Sequence, residues 1–117
     1  MKILVCGGRD FDDRALMAAT LAPYKPVPVT TVSEHKIIQG GARGADRLAR
    51  EWAECFGVPY REFPANWERH GKAAGAIRNQ QMIDEGKPDI VIAFPGGRGT
   101  ADMVRRARLS GIPVITP

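Results

Sequence analysis

The sequence predicts an α/β domain in which helices cover both faces of a mainly parallel sheet. Short apolar, β-rich runs alternate with longer segments of helical periodicity, at a spacing that suits right-handed crossovers. The 117 residues fit one domain, residues 1–117. Hydrophobic residues make up 44% and charged residues 26%, a mix that excludes wholesale disorder. We therefore expect a single Rossmann-like three-layer domain with about five strands.

The N-terminal segment predicts a strand followed by a helix. Lys2–Cys6 is a continuous apolar run, which suits a strand covered on both faces. Either Asp12 or Asp13 can cap the next helix, which runs to about Ala22. Its inward face is expected to consist of Leu16, Ala19 and Ala22.

The second unit repeats this order after an irregular segment. The three prolines of Pro23–His35 argue against a helix there, and Val27–Val32 suits either an edge strand or an extended loop. Lys36–Gln39 is the second predicted strand. Ala45–Phe56 has helical periodicity and is expected to end at Gly57.

The third unit is a weaker strand and a helix. Val58–Phe63 is β-rich but contains Pro59. Lys72–Glu85 predicts a helix that buries Ile77 and Ile83 and stops at Gly86.

The C-terminal unit gives the clearest strand. Asp89–Phe94 is apolar and ends in Pro-Gly-Gly. Thr100–Ser110 is the last predicted helix, with Gly111 as its stop, and Ile112–Ile115 is the last strand.

Composition limits the functional classes. The net charge of +4 and a pI near 9.4 are compatible with a phosphate-bearing ligand or weak nucleic-acid contact. No apolar run approaches the roughly 20 residues of a membrane-spanning helix, and the N-terminal apolar run is too short for a signal peptide. We interpret Cys6 and Cys55 as reduced and buried, which predicts a cytoplasmic protein. Neither has a Cys or His at metal-ligand spacing, so we expect no metal and no cofactor.

Glycines cluster where ligands bind in such folds. Of the 13 glycines, eight lie in three loops that each follow a strand and precede a helix: Gly7, Gly8, Gly40, Gly41, Gly44, Gly96, Gly97 and Gly99. Such loops meet at the carboxyl edge of a parallel sheet. Glycine lets backbone N–H groups approach an anion, and the following helix adds a positive dipole end. This pattern predicts a phosphate site.

Each glycine loop also carries one arginine: Arg9, Arg43 or Arg98. Arginine binds phosphate or carboxylate with a planar fork, and three arginines at one edge would repel each other without an anion between them. The alternative is that βα turns favour glycine and that the arginines are merely solvated.

Other candidates have two interpretations each. Asp10 and Asp46 could accept hydrogen bonds from ribose hydroxyls or cap helices, and Thr100 is most simply an N-cap. Trp67 could stack on a base or pack in the core or a lid. Arg78-Asn79 could belong to the site or to a solvated helix face. Arg105, Arg106 and Arg108 suggest a solvated face whose clustering is the only hint of nucleic-acid binding.

Four segments in order carry a resemblance to a known family. They are Gly7-Gly8-Arg9-Asp10-Phe11, Gly40-Gly41-Ala42-Arg43-Gly44-Ala45-Asp46, Ala74-Gly75-x-x-Arg78-Asn79-x-x-Met82 and Phe94-Pro95-Gly96-Gly97-Arg98-Gly99-Thr100-Ala101-Asp102. Together they resemble the YspA/YpsA-like branch of the SLOG superfamily, over nearly the whole chain except Pro23–His35. The Pro-Gly-Gly-x-Gly-Thr segment is the most specific.

The resemblance implies a site for a nucleotide or a nucleotide-derived ligand. The LOG enzymes of that superfamily hydrolyse the N-glycosidic bond of a cytokinin nucleoside monophosphate, using an arginine and a glutamate. Arg78 matches the arginine, but Met103 stands at the glutamate position. Asp102 is one residue earlier, about 100° away around a helix. This departure argues against LOG-type hydrolysis and leaves the phosphate loop intact.

The leading expectation is therefore a nucleotide-binding sensor or processing module. Its phosphate would lie on the Gly96–Thr100 loop, with Arg9, Arg43 and Arg78 neutralising the remaining charge. One alternative is a nucleoside 5′-monophosphate N-glycosidase that uses Arg78 with Asp102 or Asp46. A second is nucleic-acid binding, as in the DprA relatives. A homodimer is compatible with the resemblance, and no membrane partner is expected.

Overall fold

The computed structural model describes residues 1–26 and 34–117, and in these ranges five strands form one parallel sheet. The strands are β1 (Lys2–Cys6), β2 (Lys36–Gln39), β3 (Tyr60–Glu62), β4 (Ile90–Ala93) and β5 (Val114–Ile115). Their order is β3-β2-β1-β4-β5, and all four pairings are parallel. The direction of winding therefore reverses between β1 and β4, where such sheets open a crevice at their carboxyl ends.

Helices separate the strands along the described chain. They are α1 (Arg14–Leu21), α2 (Ala45–Phe56), α3 (Trp67–His70), α4 (Ala74–Gly86) and α5 (Arg98–Leu109). Short 3₁₀ turns occupy Ala22–Tyr24 and Gly71–Ala73. The helix α3 is absent from the sequence prediction, because four residues are too few for helical periodicity to show.

Two apolar layers enclose the sheet. Ile3 and Val5 of β1 pack with residues of α1 and α2, whereas Leu4 and Cys6 pack with residues of α4 and α5. Successive side chains of a strand point to opposite faces, so a continuous apolar run serves both layers. The predicted three-layer Rossmann-like architecture is confirmed.

Two predicted inward faces are only partly right. Leu16 of α1 is half-buried against the core as expected, but Ala19 is exposed, as is Ala22 just after the helix. The fully buried residues are Met17 and Leu21, which are four residues apart and so lie on one helix face. In α4 Ile83 is buried but Ile77 is 44% exposed, because residues six apart lie about 120° apart around a helix.

Two predicted helix stops, Gly57 and Gly111, are confirmed by their left-handed φ angles of 67° and 74°. Gly86 is not a stop: it is the last residue of α4, and Lys87 adopts the left-handed φ of 49°. A Cβ at Gly86 would lie 3.2 Å from the Cδ1 of Ile38. Close packing of the helix on the sheet therefore favours this glycine.

Three further expectations concern the N-terminal half. Pro23 does lie in a short 3₁₀ turn, at a first-turn position where no N–H is needed. The predicted edge strand or loop at Val27–Val32 falls outside the described residues. Cys6 is buried, but Cys55 is exposed, so only one of the two cysteines is buried as expected; both are free.

Among the residues described, none of the helices has the length and apolar character needed to cross a membrane.

Candidate functional site

The three glycine loops meet at the carboxyl edge of the sheet. The β1 loop lies between the other two: Gly8 N donates to Pro95 O at 2.8 Å, and Ala45 N donates to Gly8 O at 3.2 Å. A Cβ at Gly44 would overlap the carbonyl oxygen of Gly8, and a Cβ at Gly96 would overlap the Thr100 hydroxyl and approach Gly8 N. These glycines allow the loops to touch each other.

A cleft of about 650 Å³ opens where the loops meet. It contains most of the site residues predicted from the sequence: Gly7, Gly8, Arg9, Asp46, Arg78, Asn79, Gly97, Arg98, Gly99, Thr100 and Asp102. A second cleft of about 360 Å³ adjoins it and shares Arg9, Ala42, Trp67 and Arg78 with it. Gly41 and Arg43 line this smaller cleft.

Three predicted site residues line neither cleft. Gly44 and Gly96 pack the loops together, as described above. The Asp10 side chain is 97% exposed and lies 3.6 Å from the guanidinium of Arg43. The structure therefore does not bring these three residues to the cleft with the others.

The β4 loop differs from the other two in what its amides do. Gly41 N donates to the side chain of Gln39, and Ala42 N donates to Asp46 at 3.2 Å. Gly8 N of the β1 loop donates to Pro95 O. These amides of the β1 and β2 loops therefore already donate hydrogen bonds within the protein. These bonds leave the β4 loop, where the sequence places the phosphate, as the one of the three whose amides are not engaged in this way among the described residues.

Helix α5 begins at Arg98, so Thr100 is not its N-cap; that position belongs to Gly97, which has no side-chain capping bond. The first N–H groups of a helix have no intrahelical acceptor. A Cβ at Gly97 or Gly99 would meet no atom within 4 Å. The amino end of α5 therefore faces open space in the cleft.

Arg78 crosses from α4 to the β2 loop. Its Nη1 donates to Gly40 O at 2.6 Å, and its Nε donates to the Asn79 amide oxygen at 3.2 Å. Burial lowers the pKa of Arg78, the Asp46 carboxylate acts to raise it, and the charge of Arg9 lowers it further. Two like charges, Arg9 and Arg78, thus lie near each other on the cleft wall.

Asp46 is 7% exposed and does not cap α2, whose N-cap is Gly44. Its carboxylate instead accepts the Ala42 N–H, outside the helix. Burial raises its pKa to about 6, against the lowering effects of hydrogen bonds from Ala42 and Gly40 and of the Arg78 charge. The neighbouring Cys6 thiol has its pKa raised to about 12 by burial first and by Asp46 second, which disfavours its thiolate form.

Asn79 and Asp102 hold α4 and α5 together. Asn79 is 4% exposed, and its Nδ2 donates to Gly99 O at 3.1 Å and to Asp102 Oδ2 at 3.0 Å. Asp102 also accepts from Arg105 at 2.9 Å and Arg106 at 2.8 Å. Partial burial acts to raise the pKa of Asp102, but bonds from Arg106, Asn79 and Arg105 outweigh it and lower the pKa. Asp102 is thus an engaged carboxylate, and Arg106 is not simply solvated.

The similarity of this chain to known proteins supports the family resemblance seen in its sequence motifs. The model of the YspA, cpYpsA-related SLOG family (YAcAr) matches residues 1–70, more than half of the 117 residues. The chain belongs to this SLOG family. It is also similar to the "Gene 61 protein" of Mycobacterium phage D29, with 39% identity over 127 residues, covering 97% of this chain and 94% of that protein.

Several cleft residues of this SLOG chain were missed by sequence reasoning: Cys6, Ala42, Lys72, Gly75, Ala76 and Met82. A signal was present for three of them, because Lys72, Gly75 and Ala76 share with the predicted Asn79 the i, i+3, i+4, i+7 spacing of one helix face. Small residues on that face leave room for the cleft. Within residues 1–26 and 34–117, no group of three or more His, Cys, Asp or Glu is arranged to hold a metal ion.

Proposed function

We propose that this protein binds a nucleotide or a nucleotide-derived phosphate ligand in the larger cleft, as a sensor or processing module. The observation that carries the proposal is the amino end of α5, where uncapped amides and two unobstructed glycines face a cleft lined by cations. Helix amino ends favour phosphate through their free N–H groups and dipole. Membership of the SLOG family also suggests a nucleotide-related role.

The charges of the cleft favour an anion. Arg9, Lys72, Arg78 and Arg98 all line it. Among the described residues, no carboxylate forms an ion pair with Arg9, Lys72 or Arg98. A phosphate would relieve the repulsion between the Arg9 and Arg78 guanidinium groups. The cleft volume of about 650 Å³ lies within the usual range for small-molecule sites.

The sugar would lie deeper along the same wall. Of the two acidic candidates for ribose hydroxyls, Asp46 lines the cleft, whereas Asp10 is exposed and faces Arg43. In this arrangement a carboxylate oxygen of Asp46 accepts hydrogen bonds from the ribose hydroxyls. Asn79 has its amide committed to internal bonds, so its proposed role is to position Gly99 and Arg78 rather than to touch the ligand.

The test compares Gly97→Val with Ala101→Val, measured by calorimetric titration with AMP. A valine at 97 fills the space over the α5 amides and is expected to weaken AMP binding at least about tenfold, or about 1.4 kcal/mol. Ala101 is an exposed α5 residue outside the cleft lining, so its valine variant controls for the added bulk. Unchanged AMP affinity in folded Gly97→Val would refute this phosphate placement.

A second candidate is an N-glycosidase, and Asp46 is the observation in its favour. A buried carboxyl in a cleft, with a pKa near 6, suits acid–base or cation-stabilising chemistry. Asp102, the other candidate, is held by three side-chain donors. Incubation with nucleoside monophosphates and NAD-like dinucleotides tests this: base release abolished by Asp46→Asn supports the enzyme, and binding without release supports the sensor.

The third candidate, nucleic-acid binding, gains no support from α5. Arg105 and Arg106 both bond Asp102, and Arg106 also donates to Gln80 at 2.9 Å. Of the arginine cluster, Arg108 alone has no such bond among the described residues. We therefore do not propose this function.

A further inference from the structure

Trp67 is a large apolar side chain that remains exposed at the cleft. Trp67 is 49% exposed and lines both the larger and the smaller cleft. It is the only aromatic residue among the described residues that line these two clefts. Leaving an indole of this size half in water forgoes apolar burial, which suggests a partner for its face.

The ring is held in position by its surroundings. Trp67 is the first residue of α3, and the Asn66 side chain caps this helix by accepting a hydrogen bond from Arg69 N at 3.1 Å. A Cβ at Gly75 would lie 3.5 Å from the Cη2 atom of the indole, an ordinary contact distance, so the ring edge lies against α4 at this position. The indole is therefore supported at its edge rather than swinging freely in solvent.

One planar group already lies over the indole. The guanidinium carbon of Arg9 is 5.6 Å from the ring centroid. This distance is within the range of a cation–π contact but is not close stacking. The same Arg9 lines the phosphate region of the cleft, so the indole and the proposed phosphate site share a side chain.

We propose that Trp67 recognises the base of the bound nucleotide by stacking, next to the Arg9 guanidinium. This inference rests on the proposed nucleotide-binding function and specifies its ligand as one with an aromatic base, rather than a sugar phosphate alone. Stacking uses the face of a ring that every base has, so Trp67 selects for a base without choosing one base strictly. Purines, with the larger ring, bind more tightly than pyrimidines.

The experiment separates the base from the phosphate by titrating AMP and ribose 5-phosphate into the full chain. In Trp67→Ala, AMP affinity is expected to fall about 5- to 150-fold, which corresponds to about 1–3 kcal/mol per stacked base. Ribose 5-phosphate affinity is expected to stay within about twofold of wild type, because its contacts do not include the indole. Trp67→Phe, which keeps an aromatic face, is expected to restore most of the AMP affinity.

Two controls guard against a structural explanation. Phe56→Ala removes another partly exposed aromatic side chain, 38% exposed and outside both clefts, and is expected to leave both affinities unchanged. Trp67→Leu keeps apolar bulk without a π-face; it is expected to bind AMP as weakly as the alanine variant, and it replaces that variant if alanine prevents folding.

The outcomes are distinguishable. Equal losses for AMP and ribose 5-phosphate in the Trp67 variants, or leucine binding AMP as well as phenylalanine, would overturn the stacking proposal while leaving phosphate binding intact. If wild-type protein binds neither compound, the proposed function fails and this inference fails with it. In the Trp52→Phe background, quenching of the remaining Trp67 fluorescence by AMP but not by ribose 5-phosphate supports stacking.

Discussion

The β2 and β4 loops are alike in sequence and opposite in structure. Both follow a buried strand with a pair of glycines, an arginine and a further glycine. In the β2 loop, a Cβ at Gly40 would overlap the Arg78 guanidinium, and a Cβ at Gly44 would overlap the β1 loop. In the β4 loop, Gly96 also packs against Gly8 and Thr100, but Gly97 and Gly99 face open space. Glycine therefore permits contact within the protein in both loops, and only in the β4 loop does it also leave room beside the backbone.

The amides follow the same division. The side chains of Gln39 and Asp46 accept the N–H groups of Gly41 and Ala42, and Ala45 N, the first amide of α2, donates to Gly8 O. The N-caps of α2 and α5 both lack a side-chain bond, but among the described residues no loop carbonyl accepts the first amides of α5. A donor that is already satisfied gains little from an anion, but an unsatisfied helix amino end gains a partner. We infer that the β2 loop is mainly structural and that the β4 loop is the proposed phosphate site.

The largest expected effect is a loss of stability that tests the packing of the β2 loop. Gly44→Ala should lower the free energy of unfolding by about 3 kcal/mol or more, because Gly44 has φ of 79° and ψ of −128° and its Cβ would overlap Gly8 O. Urea unfolding measures this change. The matched control is Gly57→Ala, where φ is 67° but no atom lies within 4 Å. It should cost only the backbone strain, about 1–2 kcal/mol, and equal losses at both positions would contradict the loop-packing role.

The next effect concerns the buried carboxylate under the β2 loop. Because burial raises the pKa of Asp46 from 3.8 to about 6, its contribution to stability is full below pH 3.8 and is lost as pH rises through about 6. The change corresponds to about 3 kcal/mol. The stability of wild type relative to Asp46→Asn should therefore decrease between pH 4 and pH 7, as measured by urea unfolding at each pH.

An exposed acid provides the control for this titration. Asp10→Asn removes a carboxylate whose side chain is 97% exposed, and it controls for the loss of one negative charge. A constant difference between wild type and Asp46→Asn across this pH range would show that burial of Asp46 does not govern its titration.

The smallest expected effect tests the β4 loop, where one substitution should raise stability and weaken AMP binding. Gly99→Ala should raise the free energy of unfolding by about 0.5–1 kcal/mol, because Gly99 is helical and its Cβ would meet nothing within 4 Å. The same methyl group points into the space proposed for phosphate, so AMP should bind more weakly. Thermal unfolding and calorimetric titration measure the pair. A variant that is both more stable and equally good at binding would place the ligand elsewhere.

Particular residues show how far the sequence carried the argument. The strand positions followed from apolar runs, since β1 matches its predicted bounds of Lys2–Cys6. The start of α5 did not, because Thr100 is a common capping residue but Gly97 takes the position. For Asp46 the helix-cap alternative is wrong, because its carboxylate turns back to the loop rather than capping α2. Local preference offered both alternatives in each case, and packing between loops decided between them.

The sequence by itself determined the alternation of strands and helices, the glycine loops at one edge of the sheet and the family motifs. These follow from local periodicity and from the rule that parallel strands place their carboxyl ends together. Only the tertiary structure decided which glycines touch the protein and which face the cleft, and that Asp102 is engaged while Trp67 is exposed. A residue's neighbours across α4, α5 and the loops are distant in the chain, so no local pattern encodes whether a donor, a charge or an aromatic face is already satisfied.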